Sequence, residues 1–173
     1  PAGRPLPSNA RVLSPLVIPI HTGFASAINR PLLRRRLVDW RSSEDPKVLW
    51  AYSPVTYGLE DAADATVYHC VDLLAEFPGI DRDAIERGER RLAAAGATAI
   101  GSSRRVADHL KRVGFRNVLL WENVADIDTF SEVVDAQSTR KARAIFAGNI
   151  SANKVDFELL ANIAQKGIKV ALA

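Results

Sequence analysis

Apolar positions along the chain fall mainly into short uninterrupted runs separated by stretches with helical periodicity. "KVLWAYS", "ATVYHC", "ATAIGS", "NVLLW", "ARAIFAG" and "IKVALA" have the length and residue types of strands. Runs of that kind, without apolar and polar alternation, predict strands buried on both faces, as in a parallel sheet covered by helices. Between them lie "DRDAIERGERRLAAAGA", helical despite Gly88, and "SSRRVADHLKRVG", with a serine cap and Gly114 as its stop. "KVDFELLANIAQKG" is an amphipathic helix, expected to start near Asn153. The short acidic segment "GLEDAAD" separates the first two runs. Upstream, "RVLSPLVIPI" is rich in β-formers but broken by Pro15 and Pro19, so Arg11 to Ile20 predict a strand giving way to an extended loop. Asn29 reads as an N-cap, with Pro31 just inside a helix reaching about Arg41.

Alternating strands and helices with short connections predict an α/β fold, a Rossmann-like parallel sheet with flanking helices. The polar stretch "SEVVDAQSTRKAR" places the boundary. Residues 1–134 are expected to form a first unit, 135–141 a linker, and 142–173 the start of a second.

The chain has 173 residues, 47% hydrophobic and 25% charged, so it can bury a real core. A net charge of +3 and a pI near 9.3 reflect a small excess of basic residues and no polybasic tail, so nucleic acid is not an expected partner. One cysteine excludes an internal disulfide and a Cys-rich zinc module, which favours a reducing compartment. No apolar run approaches the roughly 18 residues that span a bilayer, and the expected location is the cytoplasm. "GIKVALA" ends the chain as a strand without the helix that should cover it, the first residue is Pro1, and methionine is absent. The chain is therefore expected to be part of a longer protein.

In a parallel α/β sheet, ligands bind beyond the carboxyl ends of the strands. That rule singles out "VYHCVD". His69, Cys70 and Asp72 are too few for a structural zinc site, even with His21 nearby, so no metal is expected. His69 and Cys70 are strand neighbours and point to opposite faces, which argues against a nucleophile and its base. Cys70 reads as a small core residue. His69 and Asp72 remain as cleft residues able to orient or deprotonate a hydroxyl. The plainer alternative makes Asp72 the cap of the next turn and His69 a satisfied strand-end residue.

The second candidate is "FAGNISANK". Gly148 lets backbone approach a ligand, and the following helix offers its positive end to a phosphate with Lys154 as a point charge; the alternative is a simple βα turn. The third is "NRPLLRRRLVDW", with Leu33, Leu37 and Trp40 on one helical face and Arg30, Arg34 and Arg41 on another. It could lie on an anionic membrane surface, or pack its leucines on the sheet and solvate its arginines.

Taken in order, "VLWAYSP", "VYHCVD" with "FPG", the helix containing Glu86 and Glu89, "ATAIGSSRRVADHL", "NVLLWENVADIDTF" and "AIFAGNISANKVDFELL" resemble the retaining glycosyltransferases of the GT-B fold, especially the bacterial family 4 enzymes of polysaccharide and cell-wall assembly. The likeness lies in the order of the motifs over about three quarters of the chain. It implies two Rossmann-like domains facing across a cleft, the first mainly receiving the acceptor and the second mainly binding a nucleotide-sugar donor. Asn123, Ala125, Asp126 and Phe130 match a pattern that closes the first domain, with Val124 in place of its glycine. Gly148 matches the glycine of the first donor-domain loop. Lys154 stands where the family carries a basic residue for the donor diphosphate, and Asn149 where many relatives have an arginine. His69 and Asp72 lie in a loop that borders the cleft in relatives, and are the implied catalytic residues.

The resemblance implies transfer of a sugar from a nucleotide-diphosphate donor to a hydroxyl acceptor, in polysaccharide or glycolipid synthesis. It implies no cofactor beyond the donor substrate and an acceptor that can be lipid-linked; peripheral attachment at the inner membrane face is the further expectation if the basic helix at 29–40 lies on a membrane. The segment by itself is expected to be inactive. A GT-B-like nucleotide-sugar epimerase and a non-catalytic α/β ligand-binding or regulatory domain are the rival readings.

Overall fold

The computed structural model describes residues 10–18, 23–128, 131, 143–152 and 154–173. The chain divides into two compact units, Pro1–Val124 and Ala125–Ala173. The expected linker at 135–141 lies outside the described residues, as do His21, Phe130 and Asn153. The fold is α/β.

In the first unit, helices α1 (Gly23–Arg36) and α2 (Val38–Ser42) precede strand β1 (Val48–Ala51). Then come β2 (Ala65–Cys70), α3 (Arg82–Ala94), β3 (Thr98–Gly101), α4 (Arg104–Val113) and β4 (Asn117–Leu120). Single 3-10 turns at Leu59–Ala62 and Leu74–Glu76 punctuate the connections. All four strands are parallel and lie in sequential order, β1-β2-β3-β4.

Local chemistry places the helices. Asp81 caps α3 by accepting the Ala84 N–H at 3.0 Å, and Ser103 caps α4 by accepting that of Val106 at 3.3 Å. Gly114 ends α4 at φ +111°, donating its N–H to the carbonyls of Leu110 and Lys111. Gly101 has a different task, because a Cβ there would sit 2.7 Å from the Ala107 nitrogen, so only glycine lets the tip of β3 touch α4.

The core lies between one face of the sheet and α3 and α4. Tyr68, Cys70, Leu92, Ala99, Val106, Leu110 and Phe115 form it, with the rings of Tyr68 and Phe115 stacked at 5.9 Å. Fully buried leucines such as Leu92 and Leu110 contribute about 1.5–3 kcal/mol each by leaving water. A buried carboxylate is held within this layer. Glu89 accepts from the Tyr68 hydroxyl at 3.2 Å and lies 2.9 Å from His109 Nε2, so both of its oxygens have partners. Burial pushes the Tyr68 phenol far above its usual range, which keeps it a donor to Glu89.

The opposite face of the sheet corrects the expectation that both faces are covered. Val48 is 56% exposed, Trp50 43%, Leu119 51% and Trp121 57%. Parallel crossovers strongly prefer one hand, so four strands in sequential order send their helices to the same face. Uninterrupted apolar runs here mark a sheet covered by helices on one side and carrying large apolar and aromatic side chains on the other.

Three further expectations are corrected. Residues 11–18 form no strand. Their backbone instead meets a side chain, because the Ile18 N–H donates to Asn29 Oδ1 at 2.8 Å and Asn29 Nδ2 donates to the Ile18 carbonyl at 2.9 Å. Asn29 is therefore no N-cap: α1 begins at Gly23, and Asn29 sits buried inside it, doing what a neighbouring strand would do for residue 18. Nor does one helix run on to Arg41, since the backbone breaks at Leu37, with φ −104° and ψ 23°, before α2.

The second unit contains β5 (Arg143–Phe146), helix α5 (Phe157–Gln165) and β6 (Lys169–Leu172), with β5 and β6 parallel. This is a βαβ unit. Its ladder continues past the strands, the Ala173 N–H donating to Phe146 O and the Gly148 N–H to Ala173 O, each at 2.9 Å.

Candidate functional site

The carboxyl tips of the first sheet gather the residues of "VYHCVD". His69 and Cys70 project to opposite faces, as strand neighbours must. Cys70 is buried in the core, its thiol donating to the Asp72 carbonyl at 3.3 Å, and its pKa is pushed up to about 11, mainly by burial. A thiol held in that state is a poor nucleophile at neutral pH. The Asp72 carbonyl also accepts the Leu74 N–H at 2.9 Å and so starts the turn Leu74–Glu76. No side chain caps that turn, so the Asp72 carboxylate is not its cap and sits exposed at the strand tip. Ser102 fastens the neighbouring tip, its hydroxyl donating to Val71 O at 2.5 Å and its N–H to Cys70 O at 3.2 Å.

His69 stands on the open face, inside a group of aromatic rings absent from the sequence reading. Its ring centroid lies 5.1 Å from Tyr52, 5.9 Å edge-on from Trp50 and 6.0 Å from Trp121, which is stacked on it at 26°. The two indoles are themselves 6.0 Å apart. The parallel register explains the gathering. Trp50 pairs with Val67, and His69 pairs with Ile100, which pairs with Leu119, so Trp50, His69 and Trp121 share one face. His69 Nδ1 is buried and has no hydrogen-bond partner among the described residues, so the imidazole is not the satisfied strand-end residue of the plainer reading. His69 and Asp72 share the tip of β2, and no hydrogen bond links them among the described residues. The signal that could have found the shelf was in the chain: Trp50, Tyr52, His69 and Trp121 all sit at or just beyond strand ends, in the same side-chain phase.

In the second unit, Gly148 lies just past the end of β5, after Ala147, with φ +150°, a backbone state that favours glycine. Asn149 and Lys154 are exposed in the loop between β5 and α5. The N–H groups of Lys154 and Val155 both donate to the Ser151 carbonyl at 2.9 Å, which closes a turn before the helix. The helix starts after Asp156, later than the expected start near Asn153. Asp156 caps it by accepting the Leu159 N–H at 2.9 Å, and Glu158 follows in the first turn. The positive end of α5 is thus already met by carboxylates, so an anion in this loop would depend on the glycine turn and on Lys154.

Among the described residues no three His, Cys, Asp or Glu side chains gather as metal ligands, and no helix is long and apolar enough to cross a membrane. No family model, curated protein or solved structure matches the chain.

Proposed function

We propose that the chain belongs to a glycosyltransferase that moves a sugar from a nucleotide-diphosphate donor to a hydroxyl acceptor, with retention of configuration. The observation that carries this reading is the loop of the second unit. A positive-φ glycine follows a parallel strand at its carboxyl end, with an exposed lysine before the helix. Backbone that can approach a diphosphate and a cation that can neutralise it are what departure of a nucleoside diphosphate requires. The order of the resembling motifs supports the reading further, because "VLWAYSP", "VYHCVD", "ATAIGS" and "NVLLW" each contain one strand of a single parallel sheet and its tip.

In this proposal Gly148, Asn149 and Lys154 contact the donor, while Asp72 and His69 border the acceptor. The exposed Asp72 carboxylate can accept a hydrogen bond from an acceptor hydroxyl and orient it. The half-exposed rings of Trp50, Tyr52 and Trp121 around His69 offer aromatic surface for the apolar face of a sugar ring. The donor phosphate takes the proton released at the hydroxyl, so no metal is needed.

The test is calorimetric titration of the intact protein with UDP-glucose and GDP-mannose, with Lys154→Ala in parallel. Loss of a charge-assisted hydrogen bond worth about 1.5–3 kcal/mol should weaken donor binding roughly tenfold or more. Binding that is absent, or unchanged in Lys154→Ala, overturns the assignment.

A further inference from the structure

A cavity of about 320 Å³ opens in the first unit between α1, the loop after β1 and α3. Its walls carry three guanidinium groups, those of Arg30, Arg87 and Arg91. Two carboxylates lie behind them. Glu60 is buried, accepts from the Thr56 hydroxyl and pairs with Arg91 Nε. Asp61 Oδ2 is 2.9 Å from Arg30 Nη2, 3.3 Å from Arg91 Nη2 and 3.9 Å from Arg34 Nη2. The group therefore holds four arginines, Arg30, Arg34, Arg87 and Arg91, against two acids, Glu60 and Asp61, an excess of two positive charges.

The excess has an address. Arg87, on the cavity wall, has no ion-pair partner among the described residues. Arg30 Nε is buried with no hydrogen-bond partner, although the same guanidinium bonds Asp61 through Nη2. An arginine needed only to hold the loop would satisfy its buried donors within the protein. The loop beneath is bent to admit the arginines. Tyr57 has φ +53°, a left-handed state costing roughly 1–2 kcal/mol for a residue with a Cβ. At Gly58, φ +80°, a Cβ would lie 3.0–3.1 Å from atoms of the Arg91 and Arg30 guanidiniums. Strain of this kind persists where surrounding structure overdetermines it, often at ligand sites.

We infer that this cavity binds the phosphate of a small phosphomonoester, with Arg87 and Arg30 as its anchors. A phosphomonoester carries close to two negative charges at neutral pH, which matches the excess, and guanidinium forks suit phosphate oxygens. The volume lies at the lower end of ligand pockets and leaves room for a modest organic body beside the phosphate. The same group could be presented by a soluble metabolite or by a lipid headgroup. The inference does not rest on the sugar-transfer reading, and either can fail without the other.

The test measures phenyl phosphate binding to the full chain by calorimetry, with inorganic phosphate and benzoate as comparisons, and binding to phosphatidylcholine vesicles with and without phosphatidic acid by sedimentation. Arg87→Ala is the diagnostic variant, because its side chain supports no ion pair of the fold; circular dichroism confirms that it folds. Phenyl phosphate should bind more tightly than benzoate, and Arg87→Ala should weaken it about tenfold, with Arg87→Lys between the two. Binding confined to phosphatidic-acid vesicles and weakened by Arg87→Ala assigns the phosphate to a lipid. Absence of binding in both arms, benzoate binding as tightly as phenyl phosphate, or indifference to Arg87→Ala overturns the inference.

Discussion

Gly88→Ala sets two effects of opposite sign against each other. Within a helix interior, alanine is favoured over glycine by about 0.8–1.0 kcal/mol, so on propensity alone the substitution stabilises α3. The packing opposes it. A Cβ at residue 88 would lie 2.5 Å from the Pro54 carbonyl oxygen and 2.8 Å from its carbon, and both atoms are backbone. Pro54 is fully buried, so the loop after β1 or the whole helix must retreat by about 1 Å, an overpacking that costs about 1–3 kcal/mol. The expected net loss is about 1 kcal/mol and not more than about 2, which lowers Tm by roughly 2–4 °C per kcal/mol in a chain of this size. The assay is urea denaturation followed by circular dichroism, with Arg90→Ala as a control at an exposed site on the same helix, expected within about 0.5 kcal/mol of the parent. A Gly88→Ala protein more stable than the parent would show that α3 and the Pro54 loop are not in close contact, and would also dissolve the floor of the arginine cavity.

Asn29→Ala removes both bonds to the Ile18 backbone and leaves a buried vacancy, so it should cost about 1–3 kcal/mol in the same assay; a neutral result would mean that residues 10–18 are not fastened to α1. The Cys70 thiol, buried and with its pKa pushed up to about 11, should resist iodoacetamide at pH 8 in the native protein and react fully in urea. Because the folded pKa is raised, the thiol favours the fold at pH values below the unfolded pKa, and that contribution fades as pH climbs towards the folded value. Rapid native alkylation at pH 8 would place Cys70 outside the core.

The sheet was legible in the sequence wherever signal and structure are both local. The apolar runs marked β1 to β6, and Ser103 and Gly114 bracket α4 as their side-chain and backbone chemistry requires. Asn29 misled because its position before a proline has the local signature of a cap, while its partner, eleven residues upstream, is a tertiary one. The start of α5 slipped because Asn153 and Asp156 are equally good cap residues and only packing chooses between them. The open face could not be read from the runs, which report how apolar a strand is and not which layers cover it. The arginine cavity draws on residues from Ser26 to Arg91, on separate elements, and no spacing rule joins them. The rule of strand ends pointed to His69 and Asp72 in the first unit and to Gly148 and Lys154 in the second, but the aromatic rings of the first unit emerged only from the pairing register.

That sequential strand order also bears on how the first unit comes into being. Each new strand docks beside the one made just before it, with paired residues separated by 17 positions (48 to 65), 31 (67 to 98) and 19 (98 to 117). Since doubling a loop adds only about 0.6 kcal/mol of closure entropy, none of the three steps is much harder than the others. Among the described residues of the first unit, no strand has to wait for a distant segment and wedge itself between two earlier ones. The four described strands can be laid down from β1 to β4 as the polypeptide leaves the ribosome.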